Sequence, residues 1–180
     1  MNKILKLTIV LFLVCAIVAG VLGVVNELTY ERIAEQNRLK TEKAYSAVLA
    51  SDGYEAVEFD KTAFPTVDSI SKCTNGAGYV VESTFSGAQG SITMAVGVDT
   101  DYKCTGISII SHSETSGLGA NAASTGEVGV NFRSQFVGED ENIALTKAGG
   151  NIDALTGATI TSKAVTGATA NSIQAVKALG

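Results

Sequence analysis

The hydrophobic pattern changes character along the chain. From Leu7 to Val25 no residue is charged and nearly all are apolar, so no face is set apart from another. A helix rises about 1.5 Å per residue and a bilayer core is about 30 Å thick, so this run predicts a membrane-spanning anchor. It continues past the small residues Ala16, Ala19 and Gly20, which favours a retained span over a cleaved signal segment. Phe12-Leu13-Val14 are too large for lipoprotein processing at Cys15, which reads as a packed thiol. From Asn26 to Ala50 charged and apolar residues recur at helical spacing without Gly or Pro, with Leu28, either Ile33 or Ala34, and Val48 as candidate inward positions. This predicts a helical stalk, ended by Ser51-Asp52-Gly53.

Beyond it the period shortens. Tyr79 to Phe85, Ile92 to Val98 and Thr105 to Ile110 are rich in Val, Ile, Thr and aromatics, partly alternating, and the turns Ser86 to Gly90 and Asp99 to Asp101 suit hairpins. The segment around Pro65 carries no assignment. Val128, Phe132 and Phe136 return to helical spacing, and a helix from Ser162 to the C-terminus is placed to cover an antiparallel meander. The expected fold is α+β: an anchor over 1–25, a stalk over 26–50, and a domain over 51–180 whose sheet is covered by helices.

Charge sets the orientation. Lys3 and Lys6 precede the span, while Glu27, Glu31 and Glu35 follow it mixed with Arg32 and Arg38, so the N-terminus is expected in the cytoplasm and the domain outside. The net charge of −5 excludes a nucleic-acid binder, which needs a clustered basic face. With no Trp and 6% aromatics, a flat ligand would be held by backbone and small polar groups. His112 is the only histidine and no Cys-x-x-Cys occurs, too few ligands for a zinc or iron–sulfur site and no basis for a nucleophile–His–acid arrangement. Cys73 and Cys104 could form a bridge in an oxidising compartment or remain free. A pilin-like structural protein shares the apolar helix and sheet, but no Gly-Phe precedes this run and no Glu lies within it.

The stretch with chemistry in it is Asp153-Ala154-Leu155-Thr156-Gly157-Ala158-Thr159-Ile160-Thr161. Gly157 and Ala158 permit close approach to the backbone, and Thr159 offers a hydroxyl where a helix begins, with free amides and the positive end of the dipole to receive a phosphate. The alternative is a plain N-cap. Thr-Gly-Ala-Thr recurs at Thr166 to Thr169, with Lys163 where the first copy has Asp153, inside the predicted helix, so Thr169 reads as structural.

This stretch resembles the Asp-x-x-(Ser/Thr)-Gly-Ala-Thr flavinylation motif of the FMN-binding domain family. The resemblance implies FMN, covalently bound through a phosphoester to Thr159 by a flavin transferase, with Asp153, Thr156, Gly157, Ala158 and Thr161 around it. His112 to Gly119 is similar to the family's Glu-Thr-Pro-Gly-Leu-Gly loop, which implies that Glu114, Thr115, Gly117 and Leu118 line the flavin, Thr115 and the backbone near Gly117 as donors and Leu118 as a wall. Ser116 stands where that loop has Pro, and Asn131-Phe132 where many members have a Trp. Known members include the G component of the Rnf electron-transport complex and the C component of the sodium-translocating NADH:quinone reductase. The expected role is thus an electron-relay subunit of a membrane-bound, ion-translocating ferredoxin:NAD⁺ oxidoreductase (a translocase), with other membrane subunits as partners; a quinone-reductase component or a stand-alone flavin carrier are the alternatives. No Gly-x-Gly-x-x-Gly, cluster-binding cysteine set or acid–base constellation is present, so little activity is expected from the chain alone.

Overall fold

The computed structural model describes residues 3–180 and divides into two compact units, one ending at Lys40 and one running Thr41–Gly180. Helix α1 runs unbroken over Lys3–Val48, joining the predicted anchor and stalk. It is long and apolar enough to cross a membrane, and its apolar side chains from Ile4 to Val25 are exposed. Among the described residues of this helix none from Lys3 to Val25 is buried, unlike the residues of a core helix and as a lipid-facing segment requires. Past the span, Arg38 pairs with Glu35 at 3.0 Å across one turn.

The second unit is built on a five-stranded antiparallel sheet in sequence order: β1 Tyr54–Val57, β2 Val67–Cys73, β3 Gly78–Ser86, β4 Ser91–Asp99 and β5 Cys104–His112. The predicted meander is β3 to β5. Strands β1 and β2 occupy the segment to which the hydrophobic pattern gives no assignment. A register shift between Val67 and Ser69 puts both Val67 and Ile70 in the core three residues apart, which erases the alternation that marks a strand.

One face of the sheet, with Val81, Phe85, Ile92, Met94, Val96 and Ile107, packs with Phe132 of helix α2 (Glu127–Ser134) and Val165, Ile173 and Val176 of helix α3 (Thr159–Lys177). Burying each such aliphatic side chain contributes about 1.5–3 kcal/mol. The other face, with Cys73, Val80 and Ala95, receives Ala44, Tyr45 and Val48 from the end of α1. That helix end seats on bare backbone: a Cβ at Gly97 would lie 2.7 Å from the Val48 carbonyl oxygen, which accepts a hydrogen bond from Thr105 Oγ1 at 2.6 Å. Tyr45 Oη donates to Glu82 Oε2 at 3.1 Å and fixes the same junction. The thiols of Cys73 and Cys104 are buried in different clusters on opposite faces and are free, so no bridge joins them. Burial is the chief cause that pushes the Cys104 thiol up to about 12.

Much of the buried face of α3 consists of small hydroxyl residues. Ser162, Thr166, Thr169 and Ser172 are buried, and each donates to the carbonyl four residues earlier at 2.8–2.9 Å. Bonding back to the helix satisfies the donor of each hydroxyl, and Ser172 also meets Ser83 Oγ of β3 at 2.9 Å across the interface. Thr169 of the second Thr-Gly-Ala-Thr is therefore part of the core.

Candidate functional site

Helix α3 begins at Thr159 through a tight turn. Gly157 adopts φ +74°, a left-handed conformation that suits Gly, and the Ala158 amide donates to the Leu155 carbonyl at 3.0 Å. Ser162 locks this turn: its Oγ accepts from the Leu155 amide and donates to the Ala158 carbonyl, both at 2.9 Å. The N-cap position is Ala158 and no side chain caps the helix, so Thr159 is not the plain N-cap that spacing alone allows. Its side chain is exposed and, among the described residues, its hydroxyl has no internal partner. The first-turn amides of α3 are left open for an anion.

Across from it stands Glu114, buried at 8% exposure. Oε1 accepts from the amides of Ala88 and Gln89 at 2.8 and 3.0 Å, and Oε2 accepts from Thr161 Oγ1 at 2.5 Å. Burial, the largest influence, pushes the pKa up. The Gln89 amide, the Thr161 hydroxyl and the amides of Ala88 and Gly90 together outweigh it, so the carboxyl titrates below the ordinary glutamate range. Glycine is required around it: a Cβ at Gly119 would lie 2.2 Å from Glu114 Oε2, and one at Gly87 would lie 2.3 Å from Oε1.

Between these two elements lies a cavity of about 330 Å³. Glu114, Thr115, Leu118, Gly157, Ala158, Thr159 and Thr161 line it, so the chain brings the two sequence motifs together. Leu118 and Ile160, 44% and 66% exposed, supply apolar walls, and no aromatic ring takes part. Gly117 is outside the lining; its φ of +79° and its carbonyl bond from Asn121 Nδ2 shape the loop. Asp153 and Thr156 face a different hollow, of about 430 Å³, with Thr146, Lys147 and Thr159. The Asp153 backbone is fixed by Gln135, whose Oε1 accepts from its amide at 2.7 Å and whose Nε2 donates to its carbonyl at 3.3 Å. The hairpin turn residues Ala88 and Gln89, together with Ser162 and Gln135, form or support the site without a motif to announce them, whereas Gly119 and Ile160, which also line it, lie within the two motif stretches. The glycines of the Ser86 to Gly90 turn are the one available signal.

These features fit a flavin nucleotide. An unengaged hydroxyl on an uncapped helix start suits the phosphate, and a cavity with two aliphatic walls, backbone and small residues suits a flat ring.

Residues 87–174 match the family model for the FMN-binding domain, and residues 1–48 match the model for the RnfG N-terminal region. The first begins at the turn that holds Glu114 and takes in the whole cavity. The chain is 32% identical to the G component of the ion-translocating oxidoreductase complex of Methanosarcina acetivorans, over 98% of this chain and 96% of that protein. It is 33% identical to the G component of the Na⁺-translocating ferredoxin:NAD⁺ oxidoreductase complex of Acetobacterium woodii, over 94% and 89%. It is 34% identical to the G component of the proton-translocating ferredoxin:NAD⁺ oxidoreductase complex of Clostridium ljungdahlii, over 92% and 87%. The fold is shared with the C component of the Na⁺-translocating NADH-quinone reductase of Parabacteroides distasonis, at a TM-score of 0.52 and 18% identity over 82% of this chain and 93% of that one. Matched from its long apolar helix through the cavity between Glu114 and Thr159, the chain belongs to the RnfG family, the G components of ion-translocating oxidoreductase complexes, with an FMN-binding domain over residues 87–174.

Proposed function

We propose that this chain is the flavin-bearing electron relay of a membrane-bound ferredoxin:NAD⁺ oxidoreductase of the Rnf type, with FMN esterified to Thr159 by a flavin transferase. The observation that carries the reading is the exposed, unengaged Thr159 hydroxyl at the mouth of the cavity lined by the Glu114 loop. The bound flavin supplies the redox chemistry, accepting electrons from one partner and passing them to another. The chain's residues supply position. Gly157 and Ala158 let the phosphate approach the backbone, Leu118 and Ile160 exclude water from the ring, and the Glu114 carboxylate, held ionised, fixes a negative charge beside it.

In this reading residues 1–25 are the anchor, 26–50 the stalk and 51–180 the flavin domain, outside the cytoplasm. A flavin that dissociates outside the cell is lost by dilution, which a covalent link prevents. The span from Leu7 to Val25 carries no ionisable side chain except the Cys15 thiol, so the ion path, and with it the translocase step, belongs to partner subunits.

The test is Thr159→Val. In-gel flavin fluorescence of the denatured chain should vanish, and the assembled complex should lose ferredoxin-dependent NAD⁺ reduction while retaining its subunits. Flavin mapped by peptide mass to another residue would refute the attachment. Should the isolated wild-type chain reduce NAD⁺ or a quinone as fast as the complex, it is an enzyme by itself, as a stand-alone carrier or quinone-reductase component would be.

A further inference from the structure

Two lysines that no motif accounts for frame the same hydroxyl. Lys163 lies one helical turn after Thr159, on the same side of α3, and both line a hollow of about 380 Å³. Lys147, from the 3-10 turn Thr146–Ala148, lines that hollow too, and also the one in which Asp153 and Thr156 stand beside Thr159. Among the described residues neither lysine meets a carboxylate, whereas Lys177 further along α3 is paired with Glu141. In a chain of net charge −5, two cations that meet no carboxylate thus border hollows that Thr159 also lines. The other walls include Ile143, Leu145 and Gly167, which offer an anion nothing.

We propose that Lys147 and Lys163 form a cationic bracket that binds the flavin-side phosphate while the transferase joins it to Thr159, the threonine oxygen giving up its proton and displacing a nucleoside monophosphate from the pyrophosphate of a flavin dinucleotide, and that the bracket then holds the resulting phosphodiester. The proposal rests on attachment at Thr159 and adds the side chains that receive the charge. A phosphodiester is an anion at every physiological pH, and Asp153 stands in the adjoining hollow, so its charge works against the attraction of the α3 amides. Lys147 borders both hollows and places a positive charge that offsets the carboxylate. An ammonium group is a compact charge with three donors, suited to a phosphate oxygen. The lysine hollow shares only Thr159 with the Glu114 cavity, so phosphate and ring have separate walls.

The experiment uses the full chain co-expressed with a flavin transferase. Intact mass follows flavin incorporation when the transferase is limiting, and the phosphorus-31 resonance of the ester reports its surroundings. The variants are Lys147→Gln with Lys163→Gln, the corresponding double Arg variant, Thr159→Ala, and Lys72→Gln on β2 as a remote control. Both lysines are exposed, so the variants should fold. The double Gln variant is expected to incorporate flavin about tenfold more slowly and to show a displaced resonance, the double Arg variant neither. An unchanged resonance overturns the bracket even if incorporation slows, because the slowing then belongs to docking of the transferase. If the double Gln variant takes up no flavin, uptake restored by the Arg variant supports the bracket and continued failure overturns it. Flavin retained by Thr159→Ala would instead refute the attachment itself, a separate failure.

Discussion

Thr161 donates its hydroxyl proton to Glu114 Oε2 at 2.5 Å, joining the first turn of α3 to a loop 47 residues earlier. Both side chains are buried, so the bond is made in a setting where an unmatched partner is costly. Glu114→Gln keeps the shape and can keep its oxygen on the amides of Ala88 and Gln89, but it removes the charge that strengthens those bonds and sets an NH2 against the Thr161 hydroxyl, which must then accept instead of donate. It should cost on the order of 1–3 kcal/mol in denaturant unfolding, more than Thr161→Val, which leaves the carboxylate its two amide partners.

The same carboxylate predicts an acid dependence. Its folded pKa lies below the unfolded value, so the stabilisation it gives is complete above about pH 4.3 and is lost as the pH falls through the folded pKa. Melting temperatures of wild type and Glu114→Gln should therefore converge below that pH and separate above it; parallel curves would show that the carboxyl is not held ionised.

Thr159 and Thr169 close the two Thr-Gly-Ala-Thr repeats but should respond oppositely to valine. Thr159→Val should remove all covalent flavin and leave the melting temperature of the unloaded chain unchanged, because the side chain is exposed and unengaged. Thr169→Val should retain the flavin and cost at most about 1 kcal/mol, the bond to the Val165 carbonyl being lost. Mass mapping with thermal unfolding reads both.

Leu118 lies 44% exposed, with its Cδ2 3.0 Å from where a Cβ on Gly157 would stand. Leu118→Asp should preserve the fold yet shift the flavin's visible spectrum and lower its reduction potential, since a second negative charge opposes reduction. An unaltered spectrum and potential would reduce the loop to a connector.

Protease added to intact cells should digest the flavin domain if Lys3 and Lys6 hold the N-terminus inside. Protection in cells, with digestion after lysis, would reverse the orientation.

The sequence discloses unevenly what this fold contains. Strands β3 to β5 are legible because their apolar residues alternate over a long register with short turns between them. Strand β2 is not, because its irregular register places Val67 and Ile70 on one face. The site motifs are legible through their resemblance to those of the FMN-binding domain family, since spacing alone leaves Thr159 open to being a plain N-cap, but their supports are not. Gln135 reaches Asp153 across 18 residues and Gln89 reaches Glu114 across 25, and no local pattern encodes such pairings. The face of α3 is misleading in its chemistry: hydroxyl residues that read as polar are buried.

That buried face bears on how a modifying enzyme would find its target. In α3 the hydroxyls of Thr161, Ser162, Thr166, Thr169 and Ser172 are both enclosed and already donating, while Thr159 alone is neither. A transferase acting on the folded chain would need little discrimination among them, since the substrate itself conceals every competing hydroxyl on the helix. Fidelity of labelling would then be a property of folding. Modification before α3 docks should spread to the second repeat, and destabilised variants should carry flavin at Thr169 as well.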